Sequence, residues 1–183
     1  MAVVKKEDAI SAFKTIMMYY GIDDAELISK TPARVISAYD ELLGGYKQEP
    51  EDVVGELFPL DFPYDEIVSV KEINFDSLCE HHFLPFSGKV NIAYYPTENY
   101  VGLSKIARLV NVFARRAQVQ ERLTWQIAHA LMDLLSAQAV GVQVTGSHMC
   151  MALRGVKVPA KTTTVSFLGD ESLFDKLNES IRG

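Results

Sequence analysis

No apolar run in this sequence approaches the roughly 18 residues that a membrane helix needs. The opening residues, MAVVKKEDAI, turn charged at once and lack the apolar centre of a signal peptide. A cytoplasmic protein with no membrane partner is expected. Cysteine is scarce, with two in 183 residues, 71 positions apart. A disulfide framework is excluded, and in a reducing compartment a single bridge is disfavoured. A basic surplus is missing too. The net charge of −6 argues against general nucleic-acid binding but leaves room for a local basic pocket facing a small anion. No GxxxxGK[ST] is present, which excludes a P-loop as a phosphate cradle. Internal repeats and low-complexity tracts are absent. Apolar content of 48% and charged content of 23% suit one globular domain with a helical appendage.

Periodicity supplies the elements. Ile10, Phe13, Met17 and Tyr20 fall at helical spacing, and SKTPARVISAYDELLGGY reads as a second helix, with Thr31 as N-cap and Pro32 at the first helical position. Residues 1–48 are therefore an N-terminal helical segment. Residues 49–66, rich in proline and acids, read as a connecting loop. EIVSVKEINF and GKVNIAYYP alternate as strands. Two helices follow, GLSKIARLVNVFARRA with Ser104 as N-cap and QVQERLTWQIAHALMDLL. AVGVQVTGSHMCMAL and TTTVSFLG read as strands, and SLFDKLNESI as a short C-terminal helix. Strand pairs flanking a helical pair predict an α+β fold over residues 67–183, a four-stranded antiparallel sheet with helices on one face.

Both cysteines and three of the four histidines fall in two short segments, CEHHF and SHMCM. Cys79 and His82 stand three apart and reach one ion across a turn. Cys150 is the remaining thiol. If it continues the strand, it shares a face with His148. Two thiolates and an imidazole suit zinc at ~2.0–2.3 Å and leave a fourth position open, as in catalytic sites. His81 and His148 would then flank the metal as an acid–base pair. A structural zinc with one of these histidines as the fourth ligand is the alternative. His129 reads as an ordinary helix-face residue.

From Ser104 to Arg122 the acidic chain reverses sign, with Lys105, Arg108, Arg115, Arg116 and Arg122 against Glu121 alone. Lys105 and Arg108 share a helical face, and Arg154 follows Cys150 by four residues. A polyanion held beside the metal is one reading, and a solvated helix face is the other. Glu121 has two acceptor oxygens, which match the N1–H and 2-amino donors of guanine. It serves equally as the partner of a surface arginine.

CEHHFLPFSGK, VGLSKIARLV, FARRAQVQERLT and HMCMALRG, in this order, resemble the motifs of type I GTP cyclohydrolase, with matching spacing from about Thr31 to Gly169. The resemblance implies a tunnelling fold, a homodecamer of two pentamers with sites shared between subunits, and conversion of GTP and water to formate and 7,8-dihydroneopterin triphosphate. By motif position it implies zinc on Cys79, His82 and Cys150, catalytic roles for His81 and His148, and Ser104 acting near the ribose. Gln120 and Glu121 would hold guanine, and Arg34, Lys105, Arg108 and Arg154 the triphosphate. Two positions depart from the family pattern. Ser37 stands where a basic residue is usual, leaving Lys30 or Lys161 as substitutes, and Thr145 stands where an acid is frequent. Two other readings compete. A nitrile oxidoreductase of the same fold would need a nucleophilic cysteine and an NADPH site. A non-enzymatic zinc-bearing ring would have no use for His81, His148 and Glu121.

Overall fold

Apolar residues spaced three and four apart fold the first part of the chain into two helices, α1 (Lys6–Tyr19) and α2 (Ala25–Leu42). The computed structural model describes residues 4–182, and the chain divides after Gly44 into two compact units. In the first unit α1 packs on α2, and Lys6 pairs with Asp40 at 2.6 Å. The second helix starts earlier than Thr31 predicts. Asp24 caps it by accepting the Leu27 amide at 2.9 Å, and Pro32 lies inside the helix rather than at its start. The proline ring supplies no N–H there, so one intrahelical bond is given up.

The second unit is built on a sheet. Gly44–Lys47 form a 3₁₀ turn, followed by α3 (Pro50–Val54) and β1 (Phe58–Pro59), so the stretch expected as plain loop carries a helical turn and a short strand. Next come β2 (Val68–Cys79), β3 (Pro85–Tyr95), β4 (Asn99–Tyr100), α4 (Leu103–Ala114), β5 (Ala117–Gln118), α5 (Gln120–Leu135) and β6 (Ala139–His148). A single-turn helix α6 (Met149–Ala152), β7 (Lys161–Gly169) and α7 (Phe174–Ile181) complete the unit. β1 and β4 form a separate two-stranded ladder.

The main sheet has five strands, in the order β5-β2-β3-β6-β7. The four long ones are antiparallel, as expected. The fifth, β5, runs parallel to β2 and pairs only through Leu78↔Ala117 and Cys79↔Gln118. Two residues are too few for an alternation to appear in sequence, so the count of four falls short by this strand.

Helices on a single face are likewise overturned. Val90, Ile92 and Tyr94 of β3 and Val140, Val142 and Val144 of β6 pack against Ile106, Leu109 and Phe113 of α4 and Leu123, Ile127 and Leu131 of α5. Burying each such side chain is worth roughly 1.5–3 kcal/mol. The alternate residues face α7 on the other side, where Ala93 and Ala139 contact Leu177 and Ile181. The small residues on that face admit the helix. Even a methyl group at Gly141 would lie 3.2 Å from Leu177 Cβ.

A β-bulge brings the site's first residue inward. The β2/β3 register shifts between Val70 and Ile73, where Glu72 adopts φ 61° and its amide donates to Asn91 Oδ1 at 2.8 Å. The extra residue changes the phase of the alternation. Val68 and Val70 face the α4/α5 core before the bulge, and Ile73, Phe75 and Cys79 face it afterwards.

Two helix starts bear on the site. α4 is capped by Gly102, whose carbonyl accepts the Lys105 amide at 2.8 Å, so Ser104 lies within the first turn and is not the cap. Strand β6 ends at His148, so Met149–Ala152 is a helical turn and not the strand continuation expected from AVGVQVTGSHMCMAL.

Candidate active site

The CEHHF segment is the connection between β2 and β3. Its backbone is cross-tied. The Cys79 amide donates to Leu84 O at 2.9 Å, the Phe83 amide to Cys79 O at 2.8 Å, and the Glu80 amide to Gln118 O on β5 at 2.9 Å. Phe83 is held at φ 53°, a conformation that costs a side-chain-bearing residue about 1–2 kcal/mol. The turn therefore presents Cys79, His81 and His82 together. Both imidazole Nδ1 atoms stand 3.8 Å from Cys79 Sγ.

Cys150 arrives from the other end of the unit. It does not share a strand face with His148, since the chain has already turned into α6. That turn carries its thiol to Cys79. The ligand atoms of Cys79, His82 and Cys150 lie within 4.8 Å of one another. Cys79 is buried, Cys150 half-buried and His82 exposed. Burial pushes the Cys150 thiol up, as does its hydrogen bond with Cys79, while Arg154 pulls it down. Arg154 Nη1 stands 3.4 Å from His82 Nε2 and donates to Cys150 O at 3.3 Å. Two sulfurs and an imidazole nitrogen this close, with a cation beside them, suit a metal that favours sulfur and nitrogen ligands.

His148, the last residue of β6, pairs in register with Phe86. The two rings stack with centroids 4.6 Å apart and planes 5° from parallel. Burial holds the imidazole below its ordinary value, and the carboxylate of Glu121 pulls it back up. His148 Nε2 meets Gln120 Oε1 at 2.9 Å. Glu121 lines a hollow of about 280 Å³ with Thr124, Trp125, Thr164, Val165 and Ser166.

Sequence spacing left open whether Glu121 pairs with Arg122. Arg122 instead forks onto Glu80, with Nη1 2.6 Å from Oε2 and Nη2 3.0 Å from Oε1. This hydrogen-bonded pair holds the Glu80 carboxyl below its usual range and raises Arg122. Glu80 Oε1 also lies 3.8 Å from His81 Nε2. Among the described residues Glu121 forms no ion pair. Glu80, Arg122 and Phe86 were not singled out from sequence as supports of this turn. No spacing rule links residues 42 apart.

The basic stretch separates into different roles. Arg116 is structural. Its Nε donates to Val112 O at 2.9 Å and Gly45 O at 3.1 Å, its Nη2 donates to Gln48 O at 3.3 Å, and its guanidinium lies over the Tyr46 and Phe113 rings. Lys105 and Arg108 stay on the outer side of α4. Lys105 Nζ lies close to Gly55, and Arg108 lines a hollow of about 170 Å³ with Gln48, Val53, Asn111 and Arg115. Among the described residues nothing joins Ser104, Lys105 or Arg108 to the Cys–His cluster within this chain. Arg34 belongs to the first unit, where it is exposed on α2 beside Lys30 and Thr31. Lys30 is paired with Glu26 at 2.8 Å. No helix is long and apolar enough to cross a membrane among the described residues.

A crystal structure of the archaeosine synthase QueF-Like in its apo form covers 59% of this chain and 98% of its own, at 15% identity and a TM-score of 0.47. That likeness is too distant to bear on activity. The curated GTP cyclohydrolase 1 proteins of Brucella canis, Brucella suis and Brucella melitensis are each 44% identical over 179 residues, spanning 97% of this chain and 83% of theirs. The family model for GTP cyclohydrolase I matches residues 9–180, a span that holds every residue of the Cys–His cluster and its surroundings. The chain belongs to the GTP cyclohydrolase I family and is a GTP cyclohydrolase.

Proposed function

We propose that this enzyme uses zinc, held by Cys79, His82 and Cys150, to convert GTP and water to formate and 7,8-dihydroneopterin triphosphate. The observation that carries the reading is the convergence of those three ligand atoms within 4.8 Å, with His81 on the same turn and His148 two residues from Cys150. The donor set fits zinc in its chemistry. When bound, zinc supplies Lewis acidity that brings the pKa of water toward neutrality.

The remaining work falls to side chains. Glu121 holds the N1–H and 2-amino edge of guanine, with Gln120 assisting at the base only through its backbone because its side chain is committed elsewhere. A proton delivered to N7 makes C8, which lies between two nitrogens, electrophilic. His81 and His148 are placed to give and take that proton as the C8–N9 bond is hydrolysed to a formamide and formate is then released. Ser104 acts near the ribose while it opens, rearranges and closes onto the freed amine. Arg154 meets the triphosphate next to the metal ligands, and Arg34, Lys105 and Arg108 complete the anion site.

Ser104, Lys105 and Arg108 join this site from a neighbouring subunit. The enzyme is a homo-oligomer, a decamer of two pentamers in the tunnelling fold, placed in the cytoplasm. Open sheet edges support this assembly. Among the described residues β7 has no outer partner, and the outer edge of β2 is paired only at Leu78 and Cys79. Such edges need pairing or protection, and a ring of sheets provides it. Incubating the zinc-loaded protein with GTP and measuring formate together with the fluorescent oxidised pterin tests the reading. Formate without pterin would restrict it to ring opening, and neither product would refute it.

A further inference from the structure

Gln120 is the first residue of α5 and is only 1% exposed. Its carboxamide nitrogen carries two hydrogens and faces Val144 O at 3.0 Å, Thr162 O at 2.9 Å and Thr164 Oγ1 at 3.2 Å. The first two are backbone carbonyls, which only accept. Turning the amide over would aim its oxygen at both carbonyl oxygens in a site closed to water. The amide orientation is therefore set by β6 and β7, and Oε1 is left facing His148 Nε2 at 2.9 Å. An amide oxygen has no hydrogen to give, so Nε2 must donate.

Two neighbours keep this contact in place. Phe86 lies flat against the imidazole and restricts its rotation. Gly146 leaves the space that Oε1 occupies, since a Cβ there would sit 2.7 Å from that oxygen. On the far side Thr124 Oγ1 donates to Gln120 O at 2.8 Å and anchors the residue in the helix.

We propose that Gln120 is a positioning residue that holds neutral His148 as the Nε2–H tautomer, so that His148 exchanges its catalytic proton through Nδ1. An imidazole has one lone pair when neutral, and the hydrogen bond at one nitrogen decides which nitrogen carries it. With Nε2–H fixed on Gln120, the lone pair stands on Nδ1, and a proton taken up there leaves from there, with Nε2 unchanged throughout. The proposal rests on the reading of His148 as a proton-transfer group.

The test is ¹⁵N NMR of the zinc-loaded enzyme labelled at histidine, above the imidazole titration range, together with steady-state kinetics. The chain has only four histidines, so a His148→Ala variant identifies the signals of this one. Nε2 should appear protonated and Nδ1 unprotonated. Gln120→Met, close in size but with only a weakly accepting sulfur in place of the amide oxygen, should lose this preference and lower kcat about 10-fold or more, with KM for GTP little changed. Gly146→Ala, which pushes on Oε1 without touching α5, should act in the same direction if the methionine variant fails to fold. A proton on Nδ1 in the unmodified enzyme would overturn the proposal. So would an unchanged tautomer and kcat in both folded variants. A raised KM with normal kcat would also overturn it, by placing the Gln120 side chain on the base. An Nε2–H tautomer in an enzyme whose His148→Ala variant stays active would instead remove His148 from catalysis while leaving the positioning intact.

Discussion

Replacing Glu121 by glutamine tests the guanine subsite most directly. The carboxylate is exposed, borders the hollow walled by Trp125 and Thr164, and is not shared with Arg122, which is spent on Glu80. Its two oxygens accept two donors side by side from guanine. Glutamine keeps one acceptor and turns a donor against the other, so at least one charge-assisted hydrogen bond is lost once the base has covered the site. Such a bond is worth about 1.5–3 kcal/mol, which lowers kcat/KM for GTP by roughly 10- to 150-fold. The same reasoning ranks substrates for the unmodified enzyme. ITP keeps N1–H but lacks the 2-amino group and should fall between GTP and ATP, and ATP, which has neither donor in place, should fail. The assay is formate release for the three nucleotides in both proteins, with zinc content measured alongside. Equal GTP turnover in Glu121→Gln, at equal zinc, would remove this residue from the site. A loss of zinc would show that the effect travels through the metal ligands instead.

Cys150→Ser should lose both zinc and formate release, and full metal occupancy by elemental analysis would break the ligand assignment. His81→Ala should keep its zinc and lose activity by about 100-fold or more, as removal of a proton-transfer group does. Loss of metal in that variant would favour a four-ligand structural site. Arg116→Ala removes the hydrogen bonds to Gly45, Val112 and Gln48 and should cost about 2–3 kcal/mol, seen as a fall of roughly 5–10 °C in Tm. An unchanged Tm with a raised KM for GTP would return Arg116 to the phosphate site. Mixing inactive His81→Ala and Arg108→Ala chains under conditions of subunit exchange should restore part of the activity, because some sites would receive both intact groups. Failure of that complementation, or an active monomer by light scattering, would refute the shared site.

Much of the candidate site was legible because it is local. Cys79, His81 and His82 lie within four positions, so any turn there presents them together. The long strands and the α4/α5 pair were legible for a similar reason, since their apolar periods repeat often enough to be counted. The partner of each local group was not legible. Cys150 was expected to reach the cluster along a strand, and it does so from a helical turn, because β6 stops where His148 stacks on Phe86. Gln120 was expected at guanine. In the structure α5 packs over β6 and β7 and buries its side-chain amide against Val144 O and Thr162 O. The basic run from Lys105 to Arg122 has one sign in sequence, yet tertiary structure divides it. Arg116 ties down the turn at Gly45, Arg122 braces the CEHH turn through Glu80, and Lys105 and Arg108 remain on the outer side of α4. The sheet's second face was missed because Ala93, Ala139 and Gly141 look like weak strand residues, whereas their smallness is what admits α7. The amino-acid order by itself determined the family, the grouping of cysteine and histidine in CEHHF and SHMCM, and the strand and helix periods, which depend on spacing along the chain. Only the tertiary structure decided which charges pair, which face each strand turns inward after the bulge, and which nitrogen of His148 meets Gln120, because those depend on groups brought together from distant positions.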